Sequence, residues 1–137
     1  MKKLLLIVLV ASSLAACKKN GVPPPVNLDI VGKWELHERT GGNIIPQDTI
    51  YKAGNGNIFQ FNSNNTYQLY INGTLSQHGT YHLQNYSGYN MQAIKYEELY
   101  FDNNTNYSYL ISFSGNMLRM EPTMPDIGTT DYEKLQN

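Results

Sequence analysis

Cysteine is nearly absent from this chain, which has a single one, Cys17, among 137 residues. A lone thiol cannot form an internal disulfide, so the folded part must be held together by its core alone. An excess of one charge is also missing, because ten lysine and arginine residues are balanced by eleven acidic ones. Without a basic stripe or an arginine-rich helix, the sequence argues against nucleic-acid binding.

The motifs of common enzyme classes are missing as well. The chain has no Gly-x-Ser-x-Gly nucleophile elbow and no glycine-rich phosphate loop. Glu97 and Glu98 are adjacent, so in an extended strand they point to opposite faces and cannot converge on one bond. We interpret them as turn or surface acids. The sequence therefore predicts that the protein is not an enzyme.

Histidine, the commonest metal ligand, occurs at His37, His78 and His82. In a strand, His78 and His82 would share a face but stand about 13 Å apart, at about 3.3 Å per residue. That separation is too large for both to bind one zinc ion. We therefore predict no metal site and no cofactor.

Long apolar runs are absent too. The run from Leu4 to Val10 is far shorter than the roughly 20 residues of a transmembrane helix. It follows the positive Met1-Lys2-Lys3 and precedes Leu14-Ala15-Ala16-Cys17, an order typical of a secretory signal peptide covering residues 1–16. The last four residues resemble a lipobox, the cleavage site of bacterial lipoproteins. That resemblance implies a lipid anchor on the Cys17 sulfur.

Residues 17–28 contain the lipidated cysteine and a tether. The run Pro23-Pro24-Pro25 favours an extended polyproline II spacer between the membrane and the domain. Lys18 stands where an aspartate would favour retention in the inner membrane of Gram-negative bacteria, so we expect the outer membrane. No acidic cluster follows Cys17, which favours the periplasmic face over the cell surface.

Residues 29–137 form one domain, large enough for a single core. Its pattern is one of short alternating runs between turn residues, with no helical stripe. Asn72-Gly73 between two such runs is a strong hairpin signal, because a type I′ turn needs positive φ at both central positions. The predicted strands are Gly32–His37, Thr49–Lys52, Asn57–Phe61, Tyr67–Ile71, Leu75–Leu83, Met91–Phe101, Tyr107–Phe113, Leu118–Met120 and Thr130–Leu135.

Apart from the short Thr49–Lys52 run, this makes about eight strands joined by tight turns. They predict an all-β, antiparallel up-and-down barrel, with a two-sheet β-sandwich as the alternative. The order of several elements resembles the lipocalin-like domains of small bacterial lipoproteins. These elements are Ile30-Val31-Gly32-Lys33-Trp34, Phe59-Gln60-Phe61, Gly79-Thr80-Tyr81, Met117-Leu118-Arg119-Met120 and Tyr132-Glu133-Lys134-Leu135. The resemblance implies that the Trp34 indole plugs the closed end and that a late arginine, Arg119, covers it.

Six aromatic residues are predicted to face the interior: Trp34, Phe61, Tyr67, Tyr81, Tyr109 and Phe113. They are the candidate ligand-binding residues, although rings of this kind can also simply fill a small barrel. We expect a monomeric, membrane-tethered module that holds a small apolar or amphipathic molecule. The alternative is a scaffold that binds an envelope protein or inhibits a cell-wall enzyme. A cavity of several hundred cubic ångströms would favour the first hypothesis.

Overall fold

The computed structural model describes residues 30–43, 47–86, 96–124 and 126–136. These residues form nine β-strands and no helix, and therefore no helix able to span a membrane. The strands are β1 (Gly32–Thr40), β2 (Thr49–Ile50), β3 (Ile58–Phe61), β4 (Thr66–Ile71), β5 (Thr74–Asn85), β6 (Glu97–Phe101), β7 (Ser108–Ser114), β8 (Met117–Pro122) and β9 (Thr129–Lys134). The domain is all-β, as predicted.

The sheet closes on itself. Strands β3 to β8 each pair antiparallel with the next strand in the chain, and β1 pairs with β3 on one side and β9 on the other. The end of β1 also pairs with the short β2, which adds one strand to a closed barrel of eight. Closure leaves no long unpaired edge. The predicted up-and-down barrel is confirmed, and the sandwich alternative is wrong.

The β4–β5 hairpin has the predicted turn. Ile71 pairs with Thr74 across the two residues between them. Asn72 and Gly73 both have positive φ, 50° and 77°. This is the backbone that a type I′ turn requires, and Asn-Gly adopts it with little strain.

A β-bulge interrupts β1 where it pairs with β9. Leu36 pairs with Tyr132 and Glu38 pairs with Asp131, so His37 is the extra residue. Before the bulge, Trp34 and Leu36 point inward. An extra residue re-aims the side chains that follow it. Arg39 pairs with Thr130 and so lies on the same side of the sheet as Leu36, with its side chain exposed at the open end.

Trp34 closes one end of the barrel. Its side chain is 1 % exposed, and its indole N–H donates a hydrogen bond to the Ile30 carbonyl over 2.7 Å. The Phe113 ring lies 5.6 Å from it between centroids, and the Lys134 ammonium lies 5.1 Å from its centroid. The indole therefore packs on all sides in the position expected of a plug.

Arg119 does not cover Trp34, contrary to the expectation from the lipocalin resemblance. Its neighbours Leu118 and Met120 are buried in the core, so the arginine side chain points outward and is 54 % exposed. There it binds Asp131 through two hydrogen bonds of 2.8 Å. The cation over the indole is Lys134, which β9 brings next to Trp34 by direct pairing.

The interpretation of Glu97 as a turn or surface acid is wrong. Glu97 lies in β6, opposite Asn85 of β5 and Ile111 of β7, and its side chain is 1 % exposed. It shares the inward face with Leu99, because alternate residues of a strand point the same way. Glu98 points to the other face and is half-buried, as the alternation predicts.

Several predictions concern residues outside those the structure describes. The leader, Cys17 and the proline-rich tether belong to this group, as does the first half of the strand predicted from Met91. Of that strand, β6 contains the second half.

Candidate ligand-binding site

A cup of about 590 Å³ opens into the end of the barrel opposite Trp34. Its rim contains the end of β1, the β6–β7 connection and the β8–β9 connection, while strands β3 to β9 supply its wall. The lining residues are Arg39, Phe59, Tyr67, Leu69, Gln77, Phe101, Asp102, Asn104, Tyr107, Tyr109, Met120, Pro122, Ile127, Gly128, Thr130 and Tyr132. A cup of this size is within the range of known sites for small molecules, about 300–1,000 Å³.

Aromatic rings in mutual contact form the wall of the cup. Phe101 is at their centre, with its centroid 4.6 Å from Tyr67, 5.6 Å from Phe59 and 5.9 Å from Tyr109. Tyr132 meets Phe59 edge-on at 5.5 Å. Rings held in this way offer apolar surface to a ligand at little further loss of side-chain entropy.

Asp102 is an acidic residue of this wall, and hydrogen bonds hold its side chain in place. Its carboxylate accepts a hydrogen bond from the Tyr67 hydroxyl at 3.0 Å and one from the Thr80 backbone N–H at 2.9 Å. Gly79 leaves room for this carboxylate, since a Cβ at that position would collide with it. Both carboxylate oxygens are therefore engaged by the protein itself.

The hydroxyls of Tyr67, Tyr109 and Tyr132 stay protonated at neutral pH, because the pKa of each is raised. Burial, then the hydrogen bond and negative charge of Asp102, raise the pKa of Tyr67 to about 12. Burial also raises the pKa of Tyr109, with Tyr107 adding to the effect, and burial raises the pKa of Tyr132. The hydroxyls of Tyr109 and Tyr132 are thus neutral groups that can donate or accept a hydrogen bond.

The six predicted aromatic residues all belong to the core, but the structure divides them into two groups. Tyr67 and Tyr109 line the cup. Trp34, Phe61 and Tyr81 are buried outside it, and Phe113 packs on Trp34.

Sequence reasoning missed other cup residues: Phe59, Phe101, Tyr132 and Arg39. The first three lie in predicted strands, and Phe59 shares the face of Phe61, so the alternation contained a signal for them. No sequence pattern pointed to Arg39, because the bulge between Leu36 and Glu38 shifts the inward–outward alternation of β1 before the chain reaches this residue.

A second depression, of about 670 Å³, lies on the outer surface of β1 and β9. Its acids are committed to structural bonds. The Glu35 carboxylate accepts the backbone N–H groups of Gly54 and Gly56 at 2.7 and 3.0 Å, and Glu133 accepts the Asn116 amide at 2.8 Å. These contacts hold the 51–57 loop and the β7–β8 turn, so we assign this surface a structural role.

Within the described parts of the chain, no three His, Cys, Asp or Glu side chains converge as metal ligands. His37 lines the outer depression, and His82 stacks on Tyr100 at 4.7 Å across the β5–β6 pair.

Comparisons of the chain with protein families, with curated proteins and with solved structures found no match. The class of the domain is therefore defined by its own geometry. It is a closed, eight-stranded antiparallel barrel with a short extra strand, a form consistent with the lipocalin-like fold.

Proposed function

We propose that the domain binds a small amphipathic molecule in its cup. The observation that carries the proposal is the cavity of about 590 Å³, walled by aromatic rings and open at one end. A barrel meant only as a scaffold gains stability when side chains fill such a space, because voids cost packing energy. The hydroxyls of Tyr109 and Tyr132 supply polar contacts beside aromatic rings, in a cup lined by both polar and apolar groups, which suits a ligand of mixed character.

We propose further that the domain works at a membrane, held by lipid on Cys17, in the cell envelope of a Gram-negative bacterium. The support is the order of charged end, short apolar run, lipobox-like residues and proline-rich spacer in residues 1–28. Each buried methylene adds about 0.8 kcal/mol, so two or three acyl chains hold a protein stably where one does not. We favour the periplasmic face of the outer membrane.

Filling the cup should weaken ligand binding. Thr130 lines the cup from β9, whereas its neighbour Thr129 points to the other face of the barrel. We expect Thr130→Phe to bind the neutral fluorescent probe N-phenyl-1-naphthylamine at least about tenfold more weakly than the parent, because the added ring occupies the ligand's volume. Fluorescence titration of the purified domain measures this.

Thr129→Phe is the matched control, since it adds the same ring outside the cup. It should bind the probe as the parent does, and urea unfolding of both variants should show that they are folded. If the parent does not bind the probe, or if Thr130→Phe binds it undiminished, the binding proposal is wrong and a scaffold role gains support.

Replacing Cys17 should release the protein from membranes. We expect Cys17→Ser to move to the soluble fraction after cell lysis, because the hydroxyl cannot take the thioether-linked lipid. Lys18→Ser introduces serine at the next position and leaves Cys17 intact, so this control variant should remain in the membrane fraction. Fractionation and intact-mass spectrometry measure the two effects, and an acyl-free parent that still sediments with membranes would contradict the anchor.

A further inference from the structure

Arg39 brings a positive charge to a cup that is otherwise apolar or neutral apart from Asp102. It is the one cation among the described residues that line the cup. Its position is at the open end of β1, where it pairs with Thr49 of β2 and Thr130 of β9. The β-bulge that precedes it places it on the same side of the sheet as Leu36.

The guanidinium of Arg39 makes no hydrogen bond or ion pair with any residue that the structure describes. No ion pair joins it to Asp102, the acid of the cup, whose carboxylate oxygens accept hydrogen bonds from Tyr67 and Thr80. The barrel's other exposed arginine, Arg119, behaves differently and is bound by Asp131 on the outer face. Arg39 therefore offers a planar set of donors with no acceptor among the described residues.

Apolar surface lies directly beside this charge. A recess of about 400 Å³ adjoins the cup and shares four lining residues with it: Arg39, Phe59, Leu69 and Tyr132. A molecule that lay along these rings would place one end at the guanidinium. The arrangement thus matches a molecule with an apolar body and one negative end.

We propose that the cup selects anionic amphiphiles, molecules with one ring system or one acyl chain and a carboxylate or sulfonate that binds Arg39. This inference rests on the proposed function and names the ligand class for the same site. The ligand is a free single molecule, because the volume of the cup suits a drug-sized guest. The cup takes the apolar body, and Arg39 at the rim takes the charge.

A pair of probes that differ by one sulfonate tests the selectivity. N-phenyl-1-naphthylamine is neutral, and 8-anilinonaphthalene-1-sulfonate carries the same rings with a negative charge. We expect Arg39→Gln to lower affinity for the sulfonate probe about fivefold, as for a partly exposed ion pair, and to leave the neutral probe unchanged. The difference in affinity for the sulfonate probe between the parent and Arg39→Gln should decrease as salt is added, because salt screens the ion pair.

Arg119→Gln is the control, because it removes an equal charge from the outer face. It should leave the affinity ratio of the two probes as in the parent, and Arg39→Lys should keep most of the preference. If both probes bind but Arg39→Gln keeps the ratio, the inference is overturned and the proposed function stands. The inference also falls if Arg39→Gln weakens both probes equally, and both proposals fall if the parent binds neither.

The source of the ligand is tested by displacement of the sulfonate probe from the parent. Monomeric dodecanoate, a free single-chain carboxylate, should displace it. Vesicles containing anionic phosphatidylglycerol should not, since a two-chain lipid exceeds the cup. Displacement by the vesicles and not by dodecanoate would overturn the assignment to a free molecule.

Discussion

Replacing Trp34 with alanine will lower the free energy of unfolding by about 3–5 kcal/mol, the range for removing a large buried aromatic side chain. The indole is 1 % exposed and packs on Phe113, so its loss leaves a cavity at the closed end. The hydrogen bond to the Ile30 carbonyl is lost with it, leaving a buried acceptor without its donor. Urea unfolding followed by circular dichroism measures the change.

The Trp34→Phe variant distinguishes the contribution of ring packing from that of the hydrogen bond. It retains much of the packing and should cost less than the alanine variant, because a phenyl ring fills part of the space but cannot donate to Ile30. Tyr86, which is 38 % exposed, offers the comparison for a ring that is only partly buried: Tyr86→Ala should cost less stability than Trp34→Ala. A Trp34→Ala variant as stable as the parent would show that the indole does not plug the barrel.

Replacing Glu97 with methionine will stabilise the protein, in contrast to Trp34→Ala, and raise the free energy of unfolding by about 1–3 kcal/mol. That is the usual cost of a buried polar group left without a partner. Among the residues that the structure describes, neither carboxylate oxygen of Glu97 has a hydrogen-bond partner, and the side chain is 1 % exposed. Methionine has a similar length and no such group, so the fit to the core is kept.

Glu98→Met is the matched control, on the opposite face of the same strand. Glu98 accepts a hydrogen bond from the Ser108 hydroxyl at 3.3 Å, so its replacement should not gain stability. Equal unfolding free energies for Glu97→Met and the parent would mean that the carboxyl is satisfied in solution.

The contribution of Glu97 to the free energy of unfolding will decrease as the pH rises. Burial raises the pKa of the Glu97 carboxyl above its ordinary value of 4.5, so the folded state keeps this proton at a pH where the unfolded chain releases it. The contribution to stability is complete below about pH 4.5 and is lost as the pH rises toward the folded-state pKa. Glu97→Gln cannot ionise and should lack this slope. Unfolding at a series of pH values measures the difference between the two proteins.

Local features of the chain were sufficient to predict the strands and their turns. Alternation with period two showed which rings share a face, and the Asn72-Gly73 pair predicted a turn that both φ values confirm. Two cup residues, Tyr67 and Tyr109, were found in this way. These properties depend on neighbouring residues only, so a sequence is enough to determine them.

Tertiary structure decided the rest, because it depends on pairings between distant residues. Contact between β1 and β9, the first and last strands of the sheet, made a barrel and not a sandwich, and it set Lys134 rather than Arg119 over Trp34. The bulge in the same pairing placed Arg39 on the side of the sheet that lines the cup, and the β5–β6–β7 register buried Glu97. Alternation assigns a residue to one of two faces, but only the closed sheet determines which face is inside and how deep each residue lies.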